Sequence, residues 1–240
     1  MSEAADLSKE AKFLGNLDQE IHPNLDITVV EDGVIIDWFQ SPDHLQFKHS
    51  YTEPRLIRRL QPRQALVKAC NNKQHSINRI LDLTGGWGID SLILAYHGRN
   101  VTMLEHNELV YHVASYSLNY ARSIQHTRAA AERIEIIHIN SLDFLLAREH
   151  SKIYDCIYLD PLFPDHKSSA KPAGEMQILQ HLTQNQDIDQ CFELALEKAG
   201  KRVVVKRPAK SRPISDLSAD LVYREKTIRY DVYLTNRGNY

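Results

Sequence analysis

Leu81-Asp82-Leu83-Thr84-Gly85-Gly86-Trp87-Gly88-Ile89-Asp90 decides how the rest of this chain is read. An apolar run ends at an acid, a glycine-rich turn follows, and an amphipathic segment begins. Glycines let the backbone approach a ligand closely and take positive φ where a turn demands it. A strand that feeds such a turn and then a helix is the entrance to a ligand site in an open α/β sheet, beyond the carboxyl ends of the strands. Outward from this segment, short apolar runs alternate with longer amphipathic ones, the pattern of a parallel sheet with crossover helices. Strands are expected at 79–83, 100–105, 134–138, 153–159 and 202–206. Helices are expected at 89–97, 108–123, 141–148 and 174–199, the last broken near Asp187. The segments 221–226 and 229–234 alternate with only a short connection, so they pair as an antiparallel hairpin.

Upstream, 27–30 and 34–38 are β-rich runs separated by Glu31-Asp32-Gly33, a hairpin signal. A polar stretch with Pro42, Pro54 and Pro62 follows, carrying Arg55, Arg58, Arg59, Arg63 and Lys68, and 64–70 reads as a short helix. The expected division is an N-terminal extension with a hairpin and a basic segment over 1–70, its first 20 or so residues a frayed lead, and the main domain over 71–240. The resulting sheet is seven-stranded and mostly parallel, with a C-terminal antiparallel hairpin. That is the Rossmann-like α/β sheet of the class I methyltransferases.

With 42% hydrophobic and 25% charged residues over 240 positions, the chain can bury a full core. A net charge of −2 gives no overall nucleic-acid signature, so any surface for a polyanion is a local patch. Cys70, Cys156 and Cys191 are widely spaced and form no C-x-x-C, which argues for a reducing compartment and against a disulfide framework or a zinc site. The twelve histidines show no metal spacing, and no metal is expected. The polar start lacks the apolar core of a signal peptide, and no run approaches membrane-spanning length, so a cytoplasmic protein is expected.

The acids around the glycine turn narrow the ligand. Asp82 could accept from a cationic amine, and Glu105 ends the second strand, where an acid can take both hydroxyls of a ribose. The turn Gly85-Gly86-Trp87-Gly88 is not the G-x-G-x-x-G expected where a pyrophosphate sits on a helix N-terminus. Asp90, at the start of that helix, would repel a pyrophosphate but suits the ammonium group of a sulfonium ligand. S-adenosylmethionine is therefore favoured over NAD. Asn140 and Ser141, after the third strand, could bond an adenine edge, or cap the following helix.

The acceptor half lies in Tyr158-Leu159-Asp160-Pro161-Leu162-Phe163-Pro164. Pro161 lacks an N–H and pushes Asp160 toward an extended conformation, leaving outward-pointing carbonyls beside an acid and an aromatic ring. Carbonyl acceptors, a carboxylate and a stacking face are what a flat base with an exocyclic amine needs.

The glycine turn, Met103-Leu104-Glu105, the Asp160-Pro161-x-Phe163-Pro164 block, Lys201-Arg202-Val203-Val204-Val205-Lys206-Arg207-Pro208 and Arg229-Tyr230-Asp231-Val232-Tyr233 together resemble, in order, the ribosomal RNA small subunit methyltransferase J family. The resemblance covers about 64–234, and its second and third blocks from the C-terminus are far more specific than the glycine turn. It implies S-adenosylmethionine as donor and a guanine N2 amine of 16S rRNA, free or in the small ribosomal subunit, as acceptor. Carried over by position, cofactor contacts fall at Ile89, Asp90, Glu105, His106, Asn140, Ser141 and Asp160, beside the turn residues Asp82, Gly85, Gly86 and Gly88. Ile89 and His106 stand where the family usually has arginines. The basic loop before the first helix is reduced to Arg59-Leu60-Gln61-Pro62-Arg63, and the first 50 residues have no match.

The implied chemistry assigns Asp160 and the Asp160–Pro161 carbonyls to the amine protons and Phe163 to stacking on the base. Asp160, Pro161 and Phe163 are thus the candidate catalytic residues. Arg59, Arg63, Lys167, Lys206, Arg207 and Lys210 are the candidate RNA contacts, as a basic rim for phosphates. The rival readings are an N6-adenine or protein-amide methyltransferase of the same fold, an RNA-binding protein with an inactive methyltransferase fold, and, third, an NAD oxidoreductase.

Overall fold

In a computed structural model, the described residues are 11–14, 24–39, 44–60, 64–71, 76–147, 153–162, 174–183 and 187–235. The main sheet has seven strands in the order β6-β5-β4-β7-β8-β10-β9. Its members are β4 (Arg79–Asp82), β5 (Asn100–Glu105), β6 (Ile134–His138), β7 (Cys156–Leu159), β8 (Arg202–Pro208), β9 (Leu221–Arg224) and β10 (Ile228–Leu234). The first five pair in parallel, and β10 runs antiparallel between β8 and β9. This is the expected class I methyltransferase sheet with its C-terminal hairpin.

Period-two alternation builds the two layers. Ile80, Met103, Cys156, Tyr158, Val204 and Val232 point to one face, and Leu81, Leu104, Ile157, Leu159, Val203 and Tyr233 to the other. Both faces are buried, so the strands read as continuous apolar runs, as parallel strands between helix layers do. The first face is covered by α2 (Ala65–Ala69), α3 (Ile89–Tyr96), α4 (Glu108–Ser123) and α5 (Gln125–Ala131), and the second by α6 (Ser141–Ala147) and α8 (Ile188–Lys198). The expected break near Asp187 is real: α7 (Gly174–Leu182) ends before it, and the Asp187 carboxylate accepts from Gln190 N to cap α8.

The expected N-terminal hairpin forms, β1 (Leu25–Val30) antiparallel to β2 (Gly33–Trp38), with Gly33 paired to Val30 inside the ladder. A third strand, β3 (Leu45–His49), lies within the expected polar stretch and pairs with β2. Its few apolar residues suffice because only one face is buried. This small sheet packs against Leu109, Val110 and Val113 of α4, Ile178 and Leu182 of α7, and Trp87 of the glycine turn. The basic segment contains α1 (Pro54–Arg59). The fourth parallel strand, expected from residue 153, begins only at Cys156. The Asp155 carboxylate instead accepts from Asn78 N and Arg79 N, which ties the strand entrances together. Among the described residues no helix is long and apolar enough to cross a membrane.

Candidate active site

The strand order reverses between β4 and β7, and a cleft opens at their carboxyl ends. Such a switch point is where open α/β sheets bind ligands. The cleft is lined by Asp82, Gly85, Gly86, Gly88, Ile89, Asp90, Glu105, His106, Asp160 and Pro161, all of them expected there, together with Arg59 and Lys206.

The glycine turn is held from three sides. Gly85 N donates to Leu104 O at 2.9 Å, Gly86 N to the Glu105 carboxylate at 2.8 Å, and Gly88 N to Gly85 O at 2.8 Å. Gly88 has φ of 70° and a Cβ there would stand 1.9 Å from Tyr51 Oη, which donates to Trp87 O. Gly88→Ala is expected to destabilise the fold by roughly 2–4 kcal/mol, from left-handed strain and overpacking together, with a matching loss of donor affinity. Urea unfolding and calorimetric titration check it; a variant within 1 kcal/mol of wild type, on the order of ordinary surface substitutions, would show that Tyr51 moves freely.

Glu105 and Asp82, both lining the cleft, differ in their surroundings. Glu105 accepts one backbone N–H on each oxygen, from Gly86 and from Asn107, both at 2.8 Å. An ionised carboxylate has about four lone-pair sites, so acceptor capacity remains for two hydroxyls. Burial pushes its pKa up against those amide bonds. Asp82 is buried, and its hydrogen-bond donors are neutral: Thr84 N at 3.0 Å, Thr84 Oγ1 at 3.4 Å and Ser91 Oγ at 2.6 Å. Burial raises its pKa to about 7; the Ser91 and Thr84 bonds oppose this, and the nearby Asp90 and Asp160 charges add to it.

Asp90 has its partners already. Its Oδ2 accepts from Tyr158 Oη at 2.6 Å and from Lys206 Nζ at 2.9 Å. Burial works against the charged form, but Lys206 and Tyr158 outweigh it and hold the pKa below the usual carboxylate range. The same ammonium bonds Asp160 Oδ2 at 2.7 Å. The Asp160 backbone is fixed separately, its N–H donating to Thr84 Oγ1 at 2.6 Å. One threonine therefore links Asp82 to Asp160.

Other expected contacts fall elsewhere. The Asn140 side chain is spent as a helix cap, accepting from Leu142 N at 2.8 Å, and Ser141 Oγ donates to Leu83 O; neither lines the cleft. Lys206, expected in the basic rim around the pocket, lines the cleft itself. Arg207 Nη2 donates to Arg212 O at 2.5 Å, and Lys210 is exposed. Phe163, Arg63 and Lys167 lie outside the described residues. Thr84, Trp87, Tyr158 and the α7 side chains Met176 and Leu179 also line the cleft, although no motif marks them as site residues. The position of Lys206 was readable from strand alternation, since it lies two residues from Val204, whose partner across the ladder is Tyr158.

A family model described as "Putative SAM-dependent methyltransferase" matches residues 18–235. The crystal structure of the SAM-dependent methyltransferase NGO1261 from Neisseria gonorrhoeae superposes with a TM-score of 0.66 at 25% identity, covering 88% of this chain and 87% of that one. Fold and cleft thus define a class I methyltransferase with S-adenosylmethionine as its cofactor. Among curated proteins, the ribosomal RNA small subunit methyltransferase J of Thioalkalivibrio sulfidiphilus is 32% identical over 194 residues, 80% of this chain and 75% of the relative. That of Coxiella burnetii is 38% identical over 172 residues, 71% of this chain, and the match spans 66% of the relative's length. The chain belongs to the ribosomal RNA small subunit methyltransferase J family.

Proposed function

We propose that this protein methylates the exocyclic N2 amine of a guanine in 16S rRNA, using S-adenosylmethionine. The observation that carries the reading is the placement of Asp160-Pro161 in the same cleft as Glu105 and the glycine turn, at the switch point of the sheet. The names of the relatives support small-subunit rRNA as the substrate class.

S-adenosylmethionine supplies an electrophilic methyl group. Glu105 and the turn residues Gly85, Gly86 and Gly88 hold its nucleoside half, and Asp82 takes its ammonium group. That carboxylate suits the task because it is buried beside neutral donors, so a cationic partner is what it lacks. On the acceptor side, the guanine N2 lone pair is delocalised into the ring and is a poor nucleophile. The Asp160 carboxylate and the carbonyls at Asp160–Pro161 accept its two N–H bonds, which favours the pyramidal nitrogen that attacks. Phe163 follows in the chain and is assigned to stacking on the base. Orientation by the two halves of the cleft supplies much of the acceleration, an effect worth ~7–11 kcal/mol in well-aligned systems. Water takes the proton once nitrogen has become cationic.

RNA is held by local charge. Arg55, Arg58 and Arg59 are exposed on α1, Arg59 lining the cleft, and Lys210 and Arg212 are exposed after β8. These are assigned to phosphates, with binding that weakens as salt rises.

The direct test is transfer of labelled methyl from S-adenosylmethionine to unmodified small subunits and to naked 16S rRNA, followed by nucleoside analysis. Label on guanine N2 is expected; label on adenine or on protein overturns the assignment. A second expectation concerns pH. A cationic ligand favours ionised Asp82, so donor binding releases a proton when the free group is still protonated. Affinity for S-adenosylmethionine should therefore climb as pH rises toward and through about 7, and level off above it. Titration calorimetry across that window checks it, with Asp82→Asn expected to flatten the profile. A wild-type affinity that does not change with pH would remove Asp82 from the ammonium site.

A further inference from the structure

Lys206 sits where an outer phosphate contact would not. Its ammonium group lies 2.7 Å from Asp160 Oδ2 and 2.9 Å from Asp90 Oδ2, and only 19% of its side chain is exposed. Withdrawing it toward a phosphate would strand two carboxylates side by side in a partly buried site, which is strongly unfavourable. The geometry also distinguishes the two oxygens of Asp160. Oδ2 is occupied by Lys206, while among the described residues Oδ1 has no hydrogen bond.

We propose that Lys206 is a positioning residue for methyl transfer: it clamps Asp160 by one carboxylate oxygen, fixing the rotamer that presents the other to the acceptor amine. The inference rests on the reading of Asp160 as the ligand of that amine. Asp90 and Tyr158 complete the clamp by fixing the ammonium itself, since Tyr158 Oη and Lys206 Nζ share Asp90 Oδ2. Lys206 then acts through Asp160 and makes no contact with the RNA backbone.

The clamp has an electrostatic consequence. Burial raises the Asp160 pKa, Lys206 pulls it down, and Asp90 pushes it up. The groups facing the clamp are Asp82 on β4, Asp90 on α3, Tyr158 on β7, Tyr230 on β10 and Arg59 on α1. Removing Lys206 deletes the main influence that keeps Asp160 ionised, so protonation occurs at higher pH and transfer fails earlier as pH falls. Removing the Asp90 charge has the opposite sign.

The experiment is the pH profile of kcat for K206M, K206R and D90N, with S-adenosylhomocysteine titration of each. K206M is expected to lose tenfold or more in kcat at neutral pH, with its acid limb moved to higher pH. K206R retains a cation at the carboxylates and should recover most of kcat on a near-wild-type profile. D90N should move the acid limb to lower pH, which keeps the idea testable if K206M does not fold. The KM for RNA and its salt dependence should stay as in wild type for K206M. A K206M enzyme with unaltered kcat and acid limb, or one whose only defect is a salt-sensitive KM for RNA, overturns the clamp and returns Lys206 to the phosphate rim. The reading of the acceptor fails separately. Label on another amine would refute guanine, while these profiles, measured on whichever amine is methylated, would still decide the role of Lys206.

Discussion

Asp160→Ala is expected to lower methyl transfer by two to three orders of magnitude while leaving the fold and S-adenosylhomocysteine binding close to wild type. The size follows from what the side chain does. A preorganised hydrogen-bonding group aimed at charge developing in the transition state is worth roughly 2.7–4 kcal/mol in comparable enzyme sites. Little else should change, because the Asp160 backbone is tied by its own N–H to Thr84 Oγ1. Lys206 keeps Asp90 as a partner, so no ammonium is left unpaired. Deleting one of three clustered acids also relieves like-charge repulsion. Single-turnover transfer separates chemistry from binding, and near-normal turnover in the variant would take Asp160 out of the mechanism.

Asp231→Ala should be among the most damaging substitutions for stability. Arg229 and Asp231 are both buried and meet as a two-pronged pair, Nε to Oδ1 at 2.8 Å and Nη2 to Oδ2 at 3.0 Å. The remaining guanidinium nitrogen donates to the carbonyls of Pro208, Ala209 and Ser211, fixing the segment that follows β8. Removing one member of a buried pair leaves an uncompensated charge and costs about 3–5 kcal/mol. In a chain of this length that corresponds to a fall in Tm of roughly 6–20 °C. Differential scanning calorimetry reads it directly; a loss below 1 kcal/mol would mean that water reaches Arg229 without rearrangement. Basic residues after β8 should also bind RNA less well in this variant, since their backbone loses its anchor.

Much of this was legible in the sequence because of two regularities. Parallel strands buried on both faces announce themselves as short apolar runs, so β5 and β6 begin and end where expected and the order of elements follows. Acids at strand ends, Asp82, Glu105 and Asp160, stood out because each terminates such a run. What stayed hidden depended on weaker local signals. The strand β3 reads Leu-Gln-Phe-Lys-His, a polar sequence that pairs only because β2 presents an open edge. The helix α5 follows α4 after the single residue Ile124, so no turn composition marks its start. Lys206 draws notice in the sequence by its charge, while its place in the strand alternation is what puts it in the cleft. Asn140 had a local use as a cap, and that local bond won.

The N-terminal sheet and the glycine turn each contribute one of the chain's two tryptophans, and both contact the same helix. Trp87 donates its indole N–H to Glu175 O, and Trp38 stacks on His181 with ring centroids 4.5 Å apart. Both partners belong to α7, whose Met176 and Leu179 line the cleft. Tryptophan emission of this protein is therefore sensitive to where α7 sits against the cleft. A donor titration followed at tryptophan wavelengths would watch the wall of the cleft respond, without any label attached.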